Sequence, residues 1–306
     1  MRLVVRSALL VCFCTTLVYA QSGGDAAKAL TAARTAMGGD KLAAVTSLTA
    51  SGTMTKAQGS TSEANDFEMA LELPSKFVKK EHLGSVMGMS VSLTSGFNGG
   101  ALIYEIEKPQ MAGISVRPVG AGGSVNANPT PEQQAATDAR NLKTARDDFR
   151  RLTLGMFAAS FPGAPLEFSA GGQLESAEGH VDVISAKGDG FDGKLYIDTK
   201  THLPVAASWM DKEPLVMAPG GNTQTFTSNQ SPEERAAAME EANKRRQAAE
   251  AARKIVEWRM FYTDYKTIDG VTIPTKFLTS VGGKATSELS LSKIKLNAKI
   301  DPKRFR

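Results

Sequence analysis

Two cysteines are all that this 306-residue sequence contains, and both, Cys12 and Cys14, lie in its apolar opening segment. Arg2 and Arg6 form a positive flank, and Ala8 to Val18 form an apolar core too short to span a bilayer. Val18-Tyr19-Ala20 ahead of Gln21 then suits signal peptidase. The first twenty residues therefore read as a cleaved signal peptide and the protein as periplasmic or otherwise exported. Val11 and Phe13 stand before the cysteines where a lipoprotein signal needs a small residue, which argues against lipidation. The mature chain, about 286 residues, then has no thiol. That excludes cysteine catalysis and leaves an exported fold held by its core alone.

Charge of one sign is also lacking. Loss of Arg2 and Arg6 takes Lys plus Arg from 36 to 34 against 32 acidic residues, a net charge of +2 with no electrostatic case for nucleic acid. No later apolar run approaches membrane-spanning length, so the mature chain has no predicted transmembrane segment. Histidine is scarce: His82, His180 and His202 lie in separate segments with no partner at metal-ligand spacing. Neither a Gly-x-Ser-x-Gly elbow nor a phosphate-cradling glycine loop is present. Asp189-Gly190-Phe191-Asp192-Gly193 has the look of a calcium loop but lacks the further acidic ligands and closing Glu, and reads as a turn. The acid pairs Asp147-Asp148 and Glu240-Glu241 stand among basic residues on predicted helices and read as solvated faces. No catalytic residue, metal or cofactor is assigned, and the protein reads as a non-enzyme.

Alternation is what the sequence has in abundance. After a short amphipathic helix from Asp25 to Met37, stopped by Gly38-Gly39, the period changes from 3.6 to two. Leu48, Ala50, Gly52 and Met54 share one face; so do Phe67, Met69, Leu71 and Leu73, and then Met87, Met89, Val91 and Leu93. Asn98-Gly99 signals a hairpin turn into a strand from Ala101 to Glu107. A Gly-rich loop at 108–128 precedes Thr130-Pro131. That pair opens a long helix with Ala135, Ala139, Leu142, Ala145, Phe149, Leu152 and Phe157 along one stripe, closed by Phe161-Pro162-Gly163. Strands follow at Pro165 to Leu174, His180 to Ala186, Lys194 to Asp198 and Pro204 to Trp209, with Gly171-Gly172, Asp192-Gly193 and Asp198 to His202 as breaks. A polar and helical insertion at 211–254 contains a capping box, Ser231-Pro232-Glu233-Glu234, and a charged helix with a poor apolar face. Three strands end the chain, Val256 to Lys266, Val271 to Val281 and Ala285 to Leu296, joined by Asp269-Gly270 and Gly282-Gly283.

The predicted fold class is α+β: one domain, 21–306, with a large curved antiparallel β-sheet of about 10–12 strands, a half-open barrel with helices covering the concave face. So many strands cannot lie flat, because inter-strand twist accumulates. Only the inner face reads as dry. A few helices against so broad a wall leave apolar surface for a ligand. The residues expected to line it are Met54, Met69, Leu71, Met87, Met89, Val91, Leu142, Phe149, Leu152, Phe157, Trp209 and Trp258. Flexible thioethers suit a cavity that accepts varied chains, although each methionine alone fits ordinary core filling. The 231–254 helix reads either as an arm that docks an envelope protein partner or as a solvated insertion.

The ordered set Ala36-Met37-Gly38-Gly39 before Leu48-Thr49-Ala50-Ser51-Gly52, Leu73-Pro74-Ser75-Lys76-Phe77, Leu195-Tyr196-Ile197-Asp198 through Leu203-Pro204-Val205, and Asp264-Tyr265 through Asp269-Gly270-Val271-Thr272-Ile273-Pro274 resembles the LolA/LolB-type periplasmic half-barrels. That superfamily contains lipoprotein-sorting proteins and lipid carriers. The resemblance implies an incomplete barrel that carries lipid or lipoprotein acyl chains and has no sharp active-site motif. The Gly-rich loop and the charged insertion depart from the compact carriers.

Overall fold

A computed structural model describes residues 26–58, 61–86, 89–107, 130–176, 179–214 and 231–306. The expected signal peptide and the expected loop at 108–128 lie outside the described residues.

Helix α1 (Ala26–Ala36) buries Leu30 and Ala33, and Met37 follows it into the core. Gly38 and Gly39, both at positive φ, turn the chain into the single-turn α2 (Asp40–Ala43). Twelve strands follow: β1 (Ser47–Gln58), β2 (Thr61–Glu72), β3 (Lys76–Val86), β4 (Met89–Asn98), β5 (Ala101–Glu107), β6 (Glu167–Ser176), β7 (Gly179–Gly188), β8 (Phe191–Asp198), β9 (Pro204–Lys212), β10 (Ile255–Ile268), β11 (Val271–Val281) and β12 (Lys284–Leu296). Between β5 and β6 lies α3 (Pro131–Phe157), and between β9 and β10 lies α4 (Pro232–Ala252). A capping box between Thr130 and Gln133 starts α3, and Ala158 in the left-handed conformation (φ 46°) ends it.

The strands form one antiparallel sheet in the order β5-β4-β3-β2-β1-β12-β11-β10-β9-β8-β7-β6. The chain works outward from β1 to one edge, crosses through α3 to the other edge, and meanders back until β12 pairs with β1, Leu296 opposite Leu48. The crossing forces the sheet to curve. Strands β4 and β9 stand seven spacings apart in the sheet order, about 34 Å if laid flat. Yet Phe149 of α3 meets Phe97 of β4, and Arg151, two residues on, stacks on Trp209 of β9. A helix only about 10–12 Å across reaches both because the sheet wraps around it.

Several expectations need correction. The segment Lys76–Val86, not assigned as a strand from the sequence, is β3, paired with both β2 and β4. Its apolar/polar alternation is broken by Lys79 and Glu81, which face inward beside Phe77. The β4–β5 hairpin turn sits at Gly99-Gly100, because Asn98 pairs with Ala101. The break expected at Asp192-Gly193 is at Asp189-Gly190, where both residues take positive φ (45° and 71°), as a type I′ turn requires. Gly171-Gly172 is a bulge within β6. The outer face is also not wholly polar. Ala70, Val78 and Ile103 on it are capped by Ile300 and Phe305 of the C-terminal segment, and Val183, Tyr196 and Ala206 form a second outer cluster.

Candidate functional site

The inner wall divides into two halves along the strands. At the end near α1 and α2 it is sealed. Met69, Leu71, Phe77 and Phe97 from the strands meet Phe149, Leu154, Met156 and Phe157 from α3 and Met37 after α1, all fully buried or nearly so. The rings pack edge-on: Phe97 to Phe149 at 5.4 Å, Phe149 to Phe161 at 5.8 Å, Phe157 to Phe161 at 5.6 Å. Gly155 brings α3 against the sheet so closely that a Cβ there would lie 2.4 Å from the Tyr262 ring. The Tyr262 hydroxyl donates to the Arg151 carbonyl at 2.7 Å, and burial pushes that hydroxyl's pKa well above its usual value.

A chain of charges crosses the wall where the sealed half ends. Lys56 of β1 reaches Glu81 of β3 at 2.6 Å, and Lys79 contacts Glu81 at 2.5 Å and Asp148 of α3 at 2.9 Å. Arg151 bonds Asp148 at 3.1 Å and lays its guanidinium 4.1 Å above the Trp209 ring, which stacks on Trp258 at 6.1 Å. Burial alone would push the Glu81 carboxyl up, but Lys79 and Lys56 outweigh it and hold Glu81 down at about 2. Burial would likewise lower Lys79, yet Asp148 and Glu81 raise it above the ordinary lysine value. The five groups are three basic side chains, Lys56, Lys79 and Arg151, and two carboxylates, Glu81 and Asp148.

The other flank of α3 is fastened to the far edge. Arg150, completely buried, donates to Asp147 at 2.7 Å and lies 3.8 Å from Asp189 in the β7–β8 turn, with Arg146 3.5 Å from the same carboxylate. The expected solvated role of Asp147-Asp148 is therefore wrong: each carboxylate is an anchor, one on either flank of the helix. Glu240 and Glu241 do sit on an exposed helix, paired with Lys244 and Arg245.

Beyond the charge chain the strands continue, and their inward residues are only half-buried. Register places Met54 opposite Leu289, Lys56 opposite Ser287, Met260 opposite Thr279, and Trp258 opposite Trp209. Met54, Lys56, Trp258, Met260, Thr279 and Ser287 are all partly accessible. This half-buried stretch is the candidate site: Met54, Met260 and Trp258 interleaved with Lys56, Thr279 and Ser287.

Of the residues the sequence nominated, Met54 on β1 and Trp258 on β10 are half-buried inward residues of this stretch, and buried Trp209 stacks on Trp258. Met69, Leu71, Phe149, Leu152 and Phe157 belong to the sealed cluster, and Leu142 packs against its margin. Val91 is buried on β4. Met87 lies outside the described residues, as does the side chain of Met89. Sequence reasoning missed Lys79, Glu81, Asp148 and Arg151, since charged residues on alternating or helical positions look like ordinary surface. Met260 and Thr279 follow from the same alternation and could have been named with Trp258.

A separate apolar cleft of about 290 Å³ opens at the sealed end between α1, α2 and the 159–161 segment, lined by Leu42, Val45, Leu73, Phe157 and Phe161, with Arg34 at its side. Among the described residues no group of three or more His, Cys, Asp or Glu is placed to hold a metal, and no helix is long and apolar enough to cross a membrane.

No protein-family model and no curated protein matches the sequence. Solved structures align with most of its length. One is an outer membrane lipoprotein-sorting protein domain from Vibrio parahaemolyticus, 12% identical, covering 92% of this chain and 97% of its own, with a TM-score of 0.49. Another is a DUF1329 family protein from Desulfovibrio piger, 9% identical, covering 92% and 98%, TM-score 0.46. A LolA superfamily protein from Nitrosomonas europaea is 10% identical, covering 92% and 97%, TM-score 0.45.

Proposed function

We propose that the protein is an exported, non-enzymatic carrier that holds a lipid, a lipoprotein acyl chain or another hydrophobic ligand against the open half of its inner wall. One observation carries this reading. At the margin of the core the inward residues Met54, Met260 and Trp258 are only partly buried, and Trp258 stacks on buried Trp209. Leaving such a surface to water forgoes about 25 cal/mol for each Å² of apolar area, whereas a bound alkyl chain recovers it. Methionine and tryptophan suit a variable apolar guest: the thioether adapts its shape, and the indole offers a broad flat contact. The mature protein, purified without detergent, is expected to release lipid into organic extracts analysed by mass spectrometry and to enhance the fluorescence of an apolar probe. Empty extracts together with no probe uptake overturn the reading.

A second reading, a scaffold or sensor that grips an envelope protein partner, draws on α4. This helix interrupts the β9–β10 hairpin. It is tied to the sheet at its C-terminal end by Glu250, which pairs with Lys212 at 3.0 Å and Arg253 at 2.7 Å. Deleting 215–252 separates the two readings: probe uptake survives if the wall is the functional surface, and partner capture disappears if the helix is.

A further inference from the structure

Two hydrogen-bond donors at the border of the open half have no acceptor among the described residues. Trp209 is only 6% exposed, and its indole Nε1 is without a partner. Arg151 uses Nη1 on Asp148, while its buried Nε is likewise unpaired. The guanidinium carbon lies 4.1 Å from the centre of the Trp209 ring, so both donors occupy one small region. Buried donors left without acceptors are rare in folded proteins because their desolvation is uncompensated. Neighbouring Trp258 cannot relieve them, since it is itself a donor and spends its indole N–H on the Lys212 carbonyl at 3.1 Å. The two carboxylates of the charge chain are already engaged: Asp148 bridges Lys79 and Arg151, and Glu81 bridges Lys56 and Lys79. Among the described side chains this strip holds three basic groups against two carboxylates.

We infer that the Arg151–Trp209 corner, with Lys56 supplying charge from across the wall, receives the anionic oxygen head of a single-chain amphiphile whose tail lies along Met54 and Met260. The inference rests on the carrier reading and deepens it from "apolar ligand" to "apolar ligand with an acidic head". An oxygen anion is the one group that supplies acceptors to both orphaned donors and balances the third basic group. The guanidinium carbon lies 4.1 Å from the indole centre, and the fork of N–H groups on a guanidinium matches the oxygens of carboxylate or phosphate.

The test compares a fluorescent polyene fatty acid with its methyl ester, titrated into the mature protein, its Trp209→Phe variant and its Arg151→Lys variant. Phe keeps the ring under the cation and removes only the N–H; Lys keeps the charge and removes the guanidinium Nε. Wild type is expected to bind the acid at least about tenfold more tightly than the ester. Each variant is expected to narrow that preference to about threefold or less. Competition by palmitate against hexadecyl phosphate then identifies which head is preferred. Equal binding of acid and ester by wild type overturns the head assignment and leaves the carrier reading standing. A wild-type preference that persists undiminished in both variants overturns the placement at this corner. Failure of wild type to bind acid or ester overturns the carrier reading itself. Matching circular dichroism and melting curves for the three proteins identify any variant whose fold has changed, in which case Lys56→Gln, at a side chain 42% exposed, replaces it as the probe of the charged strip.

Discussion

The same strands build both halves of the inner wall, yet the halves are finished in different ways. Near α1 the wall ends in phenylalanines that α3 and the 158–166 segment cover completely, and shape complementarity leaves no accessible apolar surface on Phe77, Phe97 or Phe149 beyond a trace. Past the charge chain Met54, Met260, Trp258, Thr279 and Ser287 are each partly accessible. One half spends its apolar surface on stability and the other keeps it available. The charge chain marks the border because Asp148 and Arg151 of α3 carry charge against the wall there.

That contrast can be tested from either side. The largest effect belongs to the sealed half: Phe149→Ala removes a ring that touches Phe77, Phe97 and Phe161 and is expected to cost about 3–5 kcal/mol in urea denaturation. A loss below about 1 kcal/mol would show that the cluster is loosely packed and that the division is false. Gly155→Ala comes next. Its methyl group meets the Tyr262 ring, and the expected cost of about 1–3 kcal/mol should register as a lower Tm.

The border itself is addressed by acid. Glu81 is held near 2 against a usual value of 4.5, so its contribution is fully present above pH 4.5 and is lost as pH falls from there toward 2. A decline on the order of 1–3 kcal/mol across that window is expected in wild type, and Glu81→Gln should flatten it. An unchanged slope in the variant would remove Glu81 from the account. The smallest stability effect belongs to the open half: Met54→Ala is expected to cost about 1 kcal/mol or less while clearly weakening uptake of an apolar probe. The opposite pattern, a large stability loss with uptake intact, would make Met54 ordinary core.

Much of this was legible beforehand. Alternation located eleven of the twelve strands at least in part, and the Asp269-Gly270 and Gly282-Gly283 pairs marked their turns because both residues of each take positive φ. Strand β3 escaped because the Lys79 and Glu81 positions, inward by register, hold charges where a half-buried strand should show apolar residues. Those residues are tolerated inside only because Asp148 and Lys56, remote in sequence, arrive to neutralise them, and pairing at that distance leaves no periodic trace. The same cause hid the candidate site's charged strip. Its apolar side was partly readable: Met54, Trp209 and Trp258 were nominated from alternation. That Met69 and Leu71, on the same face, would be sealed depended on how far α3 reaches along the strands, which no local pattern encodes.

The pairing of β1 with β12 also has a consequence for how the molecule is made. Leu48 must find Leu296, nearly the whole chain away, before the sheet is continuous. During N-to-C synthesis or translocation, β1 to β5 can zip into a ribbon early, but the ribbon's inner margin stays unmated until the last strand has emerged. Contacts of such sequence separation are slow to form, in the millisecond-to-second range. Through that interval an unsatisfied strand edge is open to other chains. Loss of even the last dozen residues of β12 would therefore unstitch the middle of the protein rather than trim its end.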